Sequence, residues 1–239
     1  MNMDEISSLY VKNGKLSLFD NLIYHFNSYL SLYLYPYFCL FILLIYVPFK
    51  ENIYSVITRY EKRSTFFNSY VLNIYKKVIL FFIVITVLIF LSGFIITDFS
   101  RLNFSKALIE YIDGVYKYDF TNVNYFLFSI VSVLIYFLLL IFLANLFILF
   151  TQIGFKPFTA ISIITIIMMI SSIGNIGYLG ELMRKLSIFT IFSGLGYGIY
   201  LINLVISILL NIFTYFTAKF IFNRKEIKMI KGNKEYQIY

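Results

Sequence analysis

The chain has 239 residues, of which 60% are hydrophobic and 13% are charged, and its formal net charge is +8. A typical soluble domain is about 45–50% apolar and about 25% charged, so this composition excludes an ordinary soluble globular protein. One cysteine, Cys39, and one histidine, His25, leave no intramolecular disulfide and no credible metal cluster or Cys–His pair.

The charged residues are segregated along the chain. Residues 78–97, 121–155, 157–180 and 186–218 carry no charge, and residues 21–49 contain only His25. A helix needs about 20 apolar residues to cross the hydrocarbon core of a bilayer. We therefore predict an all-α fold, a polytopic transmembrane helical bundle that forms one domain over 1–239.

Five spans are predicted, and the last one requires a boundary inside an uncharged run. The run 186–218 is too long for one straight helix, and the glycines at 194, 196 and 198 weaken a helix by up to about 1 kcal/mol each. A short external or re-entrant piece at 186–195 is therefore separated from the final span. The predicted spans are residues 30–49, 78–97, 124–150, 158–177 and 197–221.

The positive-inside rule predicts the orientation. With the N-terminus outside, thirteen of the twenty Lys and Arg residues fall on the inner side. Six of these lie in the loop 50–77, and six in the tail that begins at Lys219. An N-terminus outside and a C-terminus inside are therefore predicted.

A short amphipathic helix at about 104–114 is predicted on the outer membrane surface. Phe104, Leu108 and Ile112 recur at helical spacing, charged residues occupy the other face, and Gly114 is a plausible stop. Such a helix is typical of an interfacial anchor.

Asn203, Ser207 and Asn211 recur at intervals of four and form a polar stripe on the last span. Hydrogen bonding between helices would explain the stripe, and a polar lining of a substrate path is the alternative. The spacing does not decide between them.

The basic loop 50–77 has two interpretations as well. Its cations could anchor lipid headgroups, or its aromatic and basic side chains could fit a groove on a partner, where Tyr, Phe and Arg commonly supply buried contacts. The residues predicted to bind a partner are Arg59, Tyr60, Glu61, Lys62, Arg63, Phe66 and Phe67.

The layout resembles the membrane subunit of a type-2 ABC exporter, of the small bacteriocin- and peptide-export kind. The resemblance covers roughly 21–228 and lies in VITRYEKRSTFFNSYVLNIYKKV (56–78), the external insert and FIFNRKEI (220–227). These permeases have six spans and a cytoplasmic helix that docks on a separate ATPase. The family's first span has no counterpart here, and a permease without it would have the topology that the charges predict.

The resemblance implies a transporter subunit in a bacterial cell membrane, forming a homodimer or a heterodimer with a related permease. It implies that ATP is hydrolysed on a separate ATP-binding cassette subunit, so we expect no catalytic, cofactor or metal site in this chain and no nucleic-acid partner. The expected substrate is a hydrophobic or amphipathic peptide, antibiotic or lipid-like molecule. The alternative is a non-transporting membrane protein that gives self-protection against a membrane-active peptide.

Overall fold

A computed structural model describes residues 17–27, 29–46, 63–96, 124–172, 191–192, 200–224, 227–229 and 236–238. The helices of this part of the chain are α1 (Leu18–Asn27), α2 (Tyr29–Tyr46), α3 (Arg63–Ile96), α4 (Tyr125–Ile153), α5 (Pro157–Ser172) and α6 (Tyr200–Arg224). In the tail after α6, strands β1 (Ile227–Met229) and β2 (Tyr236–Ile238) pair antiparallel, with Ile227 opposite Ile238.

The described residues confirm the predicted class, a helical bundle of a membrane protein. Helices α3, α4 and α6 are each long and apolar enough to cross a bilayer. The apolar stretches Leu34–Ile45 of α2 and Pro157–Ile170 of α5 are shorter. The count of five spans and the orientation stay predictions.

The helix that contains the predicted span 78–97 is longer than that span, and the membrane boundary at residue 78 stays a prediction. Helix α3 begins at Arg63 and continues to Ile96 without interruption, so the second half of the predicted loop 50–77 is helical. Lys76 and Lys77 do not end the helix because lysine is a good helix former and neither Gly nor Pro occurs between residues 63 and 77. The external helix predicted at 104–114 and the loop residues 50–62 lie outside the described residues.

Helix α4 is the centre of the bundle. Within the apolar stretch of α4, 61% of the residues are buried inside the folded chain, compared with 22% in α3 and 28% in α6. Tyr136, Leu139, Leu143 and Phe147 have no exposed surface. The other described helices pack around α4, and the exposed sides of α3 and α6 carry large apolar side chains, as expected for surfaces that face lipid.

Contacts between side chains give the relative directions of the three long helices. Phe66 near the start of α3 packs on Phe222 near the end of α6, with ring centroids 6.0 Å apart, so these helices are antiparallel. Phe128 and Tyr200 meet at the beginnings of α4 and α6 at 5.3 Å, so these helices are parallel. The chain between α4 and α6 must therefore return to the other end of the bundle, and α5 lies on that return path.

A tight connection joins α4 to α5. Gly154 adopts φ +118°, and the Phe155 N–H donates to the Phe150 carbonyl at 3.1 Å while the two rings pack edge to face. These are the bonds and the apolar contact of a Schellman motif. Pro157 then begins α5, where its missing N–H costs nothing.

Candidate functional site

A buried polar network joins α3, α4 and α6. The Tyr75 hydroxyl of α3 donates to Asn145 Oδ1 of α4 at 2.6 Å. Asn145 Nδ2 donates in turn to Asn211 Oδ1 of α6 at 3.1 Å. Asn145 is 1% exposed and Asn211 is 8% exposed, so these bonds lie in a medium where an unmade hydrogen bond is costly.

Both polar atoms of the Asn211 side-chain amide are hydrogen-bonded. Its Nδ2 donates to the Leu138 carbonyl of α4 at 3.0 Å and to the Ser207 carbonyl, one turn earlier on α6, at 2.9 Å. Its Oδ1 accepts from Asn145. A buried network is stabilising when its members are satisfied, and Asn211 meets that condition.

The predicted polar stripe on α6 faces the interior of the bundle. Asn203 and Ser207 are both 0% exposed. The Ser207 hydroxyl donates to the Ile191 carbonyl at 3.4 Å, and Asn211 bonds to α4 as described. These bonds support hydrogen bonding between segments as the reason for the stripe. The alternative of a substrate path lined by Asn203, Ser207 and Asn211 stays a prediction.

The sequence did not single out Tyr75 and Asn145 as site residues. The signal for Asn145 was available, since it is the one side-chain amide between residues 125 and 151 of an otherwise apolar helix, and such residues tend to be bonded between helices. Tyr75 precedes two lysines and lies within the predicted loop 50–77. Only the register between α3 and α4 brings its hydroxyl to Asn145.

A second cluster, the aromatic cluster, joins the start of α3 to the end of α6. The Phe67 ring lies 5.2 Å from the Phe222 ring and 6.0 Å from the Tyr215 ring. The Tyr215 hydroxyl donates to Asn68 Oδ1 at 3.0 Å. Together with the polar network, this cluster fastens α6 to α3 along the first half of α3.

The residues predicted to bind a partner separate into two groups. Arg59, Tyr60, Glu61 and Lys62 lie outside the described residues, and Arg63 is the first residue of α3. Phe66 and Phe67 are 8% and 1% exposed because α6 covers them. They pack inside this chain, and their role in binding a partner stays a prediction.

The arrangement holds uncharged amides and hydroxyls. Within the described ranges no three His, Cys, Asp or Glu side chains come together as a metal site would require. No family model, curated protein or solved structure matches the chain. The network links three apolar helices by hydrogen bonds between their side chains and fixes the register of these helices to one another.

Proposed function

We propose that this chain is the membrane subunit of an ATP-driven ABC exporter in a bacterial cell membrane, with ATP hydrolysed on a separate subunit. Two such chains, or one with a related permease, would enclose the path. The substrate would be a hydrophobic or amphipathic peptide, antibiotic or lipid-like molecule. The motor subunit would bind the predicted loop 50–77, at the basic segment from Arg59 to Arg63.

The continuity of α3 is the observation that carries the proposal. An exporter subunit must convert movement at its cytoplasmic loop into rearrangement of its membrane helices. Helix α3 runs for 34 residues, about 51 Å at 1.5 Å per residue, from the end of that loop into the apolar belt. Tyr75 and Asn68 fasten it to α4 and α6 along the way. A displacement of residues 59–63 by the motor subunit would therefore move α3 together with α4 and α6.

Co-purification tests the proposal. The chain is expressed with any ATP-binding subunit that is encoded nearby and extracted in mild detergent, as wild type and as Arg59→Glu/Arg63→Glu. Lys156→Glu is the matched control, because Lys156 is an exposed lysine in the α4–α5 connection on the same predicted side. We expect a stable wild-type complex that the double reversal weakens at least tenfold and that Lys156→Glu leaves intact.

Two outcomes contradict the proposal. If wild type binds no ATP-binding subunit, the chain is not a subunit of such an exporter, and the self-protection protein becomes the better interpretation. If Lys156→Glu weakens the complex as much as the double reversal, the contact depends on general charge and not on the loop.

A further inference from the structure

The exposed face of α3 changes character at Lys76. Before this residue, the exposed side chains are mainly polar and include Thr65, Asn68 and Asn73, with Leu72 among them. After it, the exposed side chains are apolar and are 37–61% exposed. They are Ile79, Leu80, Ile83, Val84, Val87, Leu88, Phe90 and Leu91. One continuous face is thus polar over its first half and apolar over its second.

The exposed face of α6 does not change at the same depth. Tyr75 and Asn211 both bond to Asn145. Tyr75 and the adjacent Lys76 therefore lie at about the same height along the bundle axis as Asn211. Beyond that level α6 still exposes Phe213 and Phe216, which are 70% and 60% exposed. Exposed phenylalanines on α6 continue to Phe220, nine residues or about 14 Å past Asn211, where the Arg224 guanidinium lies over the Phe220 ring and marks the end of this apolar surface.

The polar half of α3 therefore lies beside a segment of α6 that exposes large aromatic side chains, as a surface that faces hydrocarbon would. The contacts of the aromatic cluster hold this half of α3 beside that segment of α6. The polar side chains of this half of α3 and the Lys76 ammonium would be costly to expose to hydrocarbon unless other polar groups contact them. A polar group from outside the described part of the chain, in contact with the first half of α3, would remove this cost.

We propose that an anionic phospholipid of the bilayer binds the exposed face of α3, with its phosphate at the Lys76 ammonium. The rest of the headgroup lies against the polar half of the face at Asn73, three residues before Lys76. One acyl chain runs along the apolar half from Leu80 towards Leu91. The order of polar, cationic and apolar side chains matches the order of groups in the lipid.

Charge favours a lipid over other occupants. Asp20, which is 0% exposed, is the one acidic residue of the described ranges, so the described surface offers no carboxylate to Lys76. A second copy of this chain could also cover the face in a two-fold symmetric dimer. That dimer would place the two Lys76 ammonium groups near each other, and their repulsion disfavours it. A lipid phosphate supplies both the missing charge and the acyl chain. This site is independent of the transport proposal.

Lipid titration of the whole chain tests the site. The delipidated protein in detergent is titrated with phosphatidylglycerol and, separately, with phosphatidylcholine of the same acyl chains, and bound lipid is counted by native mass spectrometry. Soluble glycerol phosphate is the third ligand. Lys76→Met removes the charge and Lys76→Arg keeps it. Lys156→Met is the control, because Lys156 is an exposed lysine of the α4–α5 connection and is not part of α3.

For wild type we expect phosphatidylglycerol to bind about fivefold more tightly than phosphatidylcholine, the factor that one basic residue near a surface provides. Lys76→Met loses this preference, while Lys76→Arg and Lys156→Met keep it. Equal affinity for the two lipids in wild type, or an unchanged preference in Lys76→Met, overturns the proposal. Binding of glycerol phosphate as tight as that of the lipid would show a simple anion site without an acyl groove, and would also overturn it.

Discussion

Asn145 and Asn211 share a hydrogen bond of 3.1 Å between the central helix and the last helix of the bundle. The two residues are 66 positions apart in the chain. In a membrane, helices gain little from the hydrophobic effect when they associate, so such bonds and close packing hold them together. The Asn145–Asn211 hydrogen bond thus fixes the position of α4 relative to α6.

Removing the Asn145 amide should destabilise the bundle. Asn145→Leu leaves the Tyr75 hydroxyl and Asn211 Oδ1 without their partner, and we expect a loss of roughly 1–3 kcal/mol in free energy of unfolding. Unfolding by SDS from mixed micelles measures it. Thr217→Val is the control, because the Thr217 hydroxyl donates within its own helix to the Phe213 carbonyl. Equal losses in both variants would contradict the special role of Asn145.

Tyr75→Phe tests the third member separately. The variant removes the donor of the 2.6 Å bond to Asn145 and keeps the ring, so we expect a loss of roughly 0.6–1.7 kcal/mol. In the double variant Tyr75→Phe/Asn145→Leu the losses should not add, because the residues share one bond. Additive losses in the SDS titration would mean that the hydroxyl and the amide act independently.

The α4–α5 connection depends on a backbone conformation. Gly154 has φ +118°, and a Cβ there would meet no atom within 4 Å, so a substitution is strained by the backbone alone. We expect Gly154→Ala to lower the free energy of unfolding by about 1–2 kcal/mol. Gly154→Asn should lose less, because Asn tolerates positive φ better. Thermal unfolding in detergent ranks the variants, and a neutral Gly154→Ala would contradict this turn.

Local chemistry made some of these features predictable. Asn124 is the predicted first residue of the third span, and in the structure its Oδ1 accepts from the Leu127 N–H at 3.1 Å and caps α4. The i, i+4 spacing of Asn203, Ser207 and Asn211 predicted one helix face, and all three are buried on it. Apolar runs, caps and periodicity are properties of neighbouring residues, so the sequence contains them directly.

Other features depend on residues that are distant in the chain. The start of α3 at Arg63 was missed because charge marks where a helix leaves the apolar belt and not where the helix ends. Phe66 and Phe67 were assigned to a partner because their spacing predicts an apolar face without saying what covers it. The cover is Phe222, about 155 residues later, and only the packing of α6 on α3 reveals it.

The aromatic cluster should stabilise the chain without any partner. In the double-mutant cycle Phe67→Leu, Phe222→Leu and both, we expect a coupling of about 0.5–1.5 kcal/mol, as for other aromatic pairs. Phe213→Leu is the control, because Phe213 is 70% exposed and faces outward. The measurement is thermal unfolding of the purified chain. A coupling of zero would mean that the rings do not meet and would restore Phe67 as a residue available to a partner.

The two ends of α4 test the predicted orientation. Asn124 precedes α4 and Lys156 follows it, and both are exposed. In a Cys39→Ala background, which removes the native thiol, we introduce Asn124→Cys or Lys156→Cys and treat intact cells with a membrane-impermeant maleimide. The loss of the Asn124 cap costs about 1 kcal/mol, which a bundle of this size should tolerate.

The charge distribution predicts labelling at position 124 and none at position 156 until the cells are opened. The reverse pattern would place the C-terminal tail outside, and the loop before Arg63 would then be out of reach of a cytoplasmic ATPase. Labelling of both positions in intact cells would mean that α4 does not cross the membrane, although it is the central helix of the bundle. The experiment thus tests the orientation and the transport proposal together.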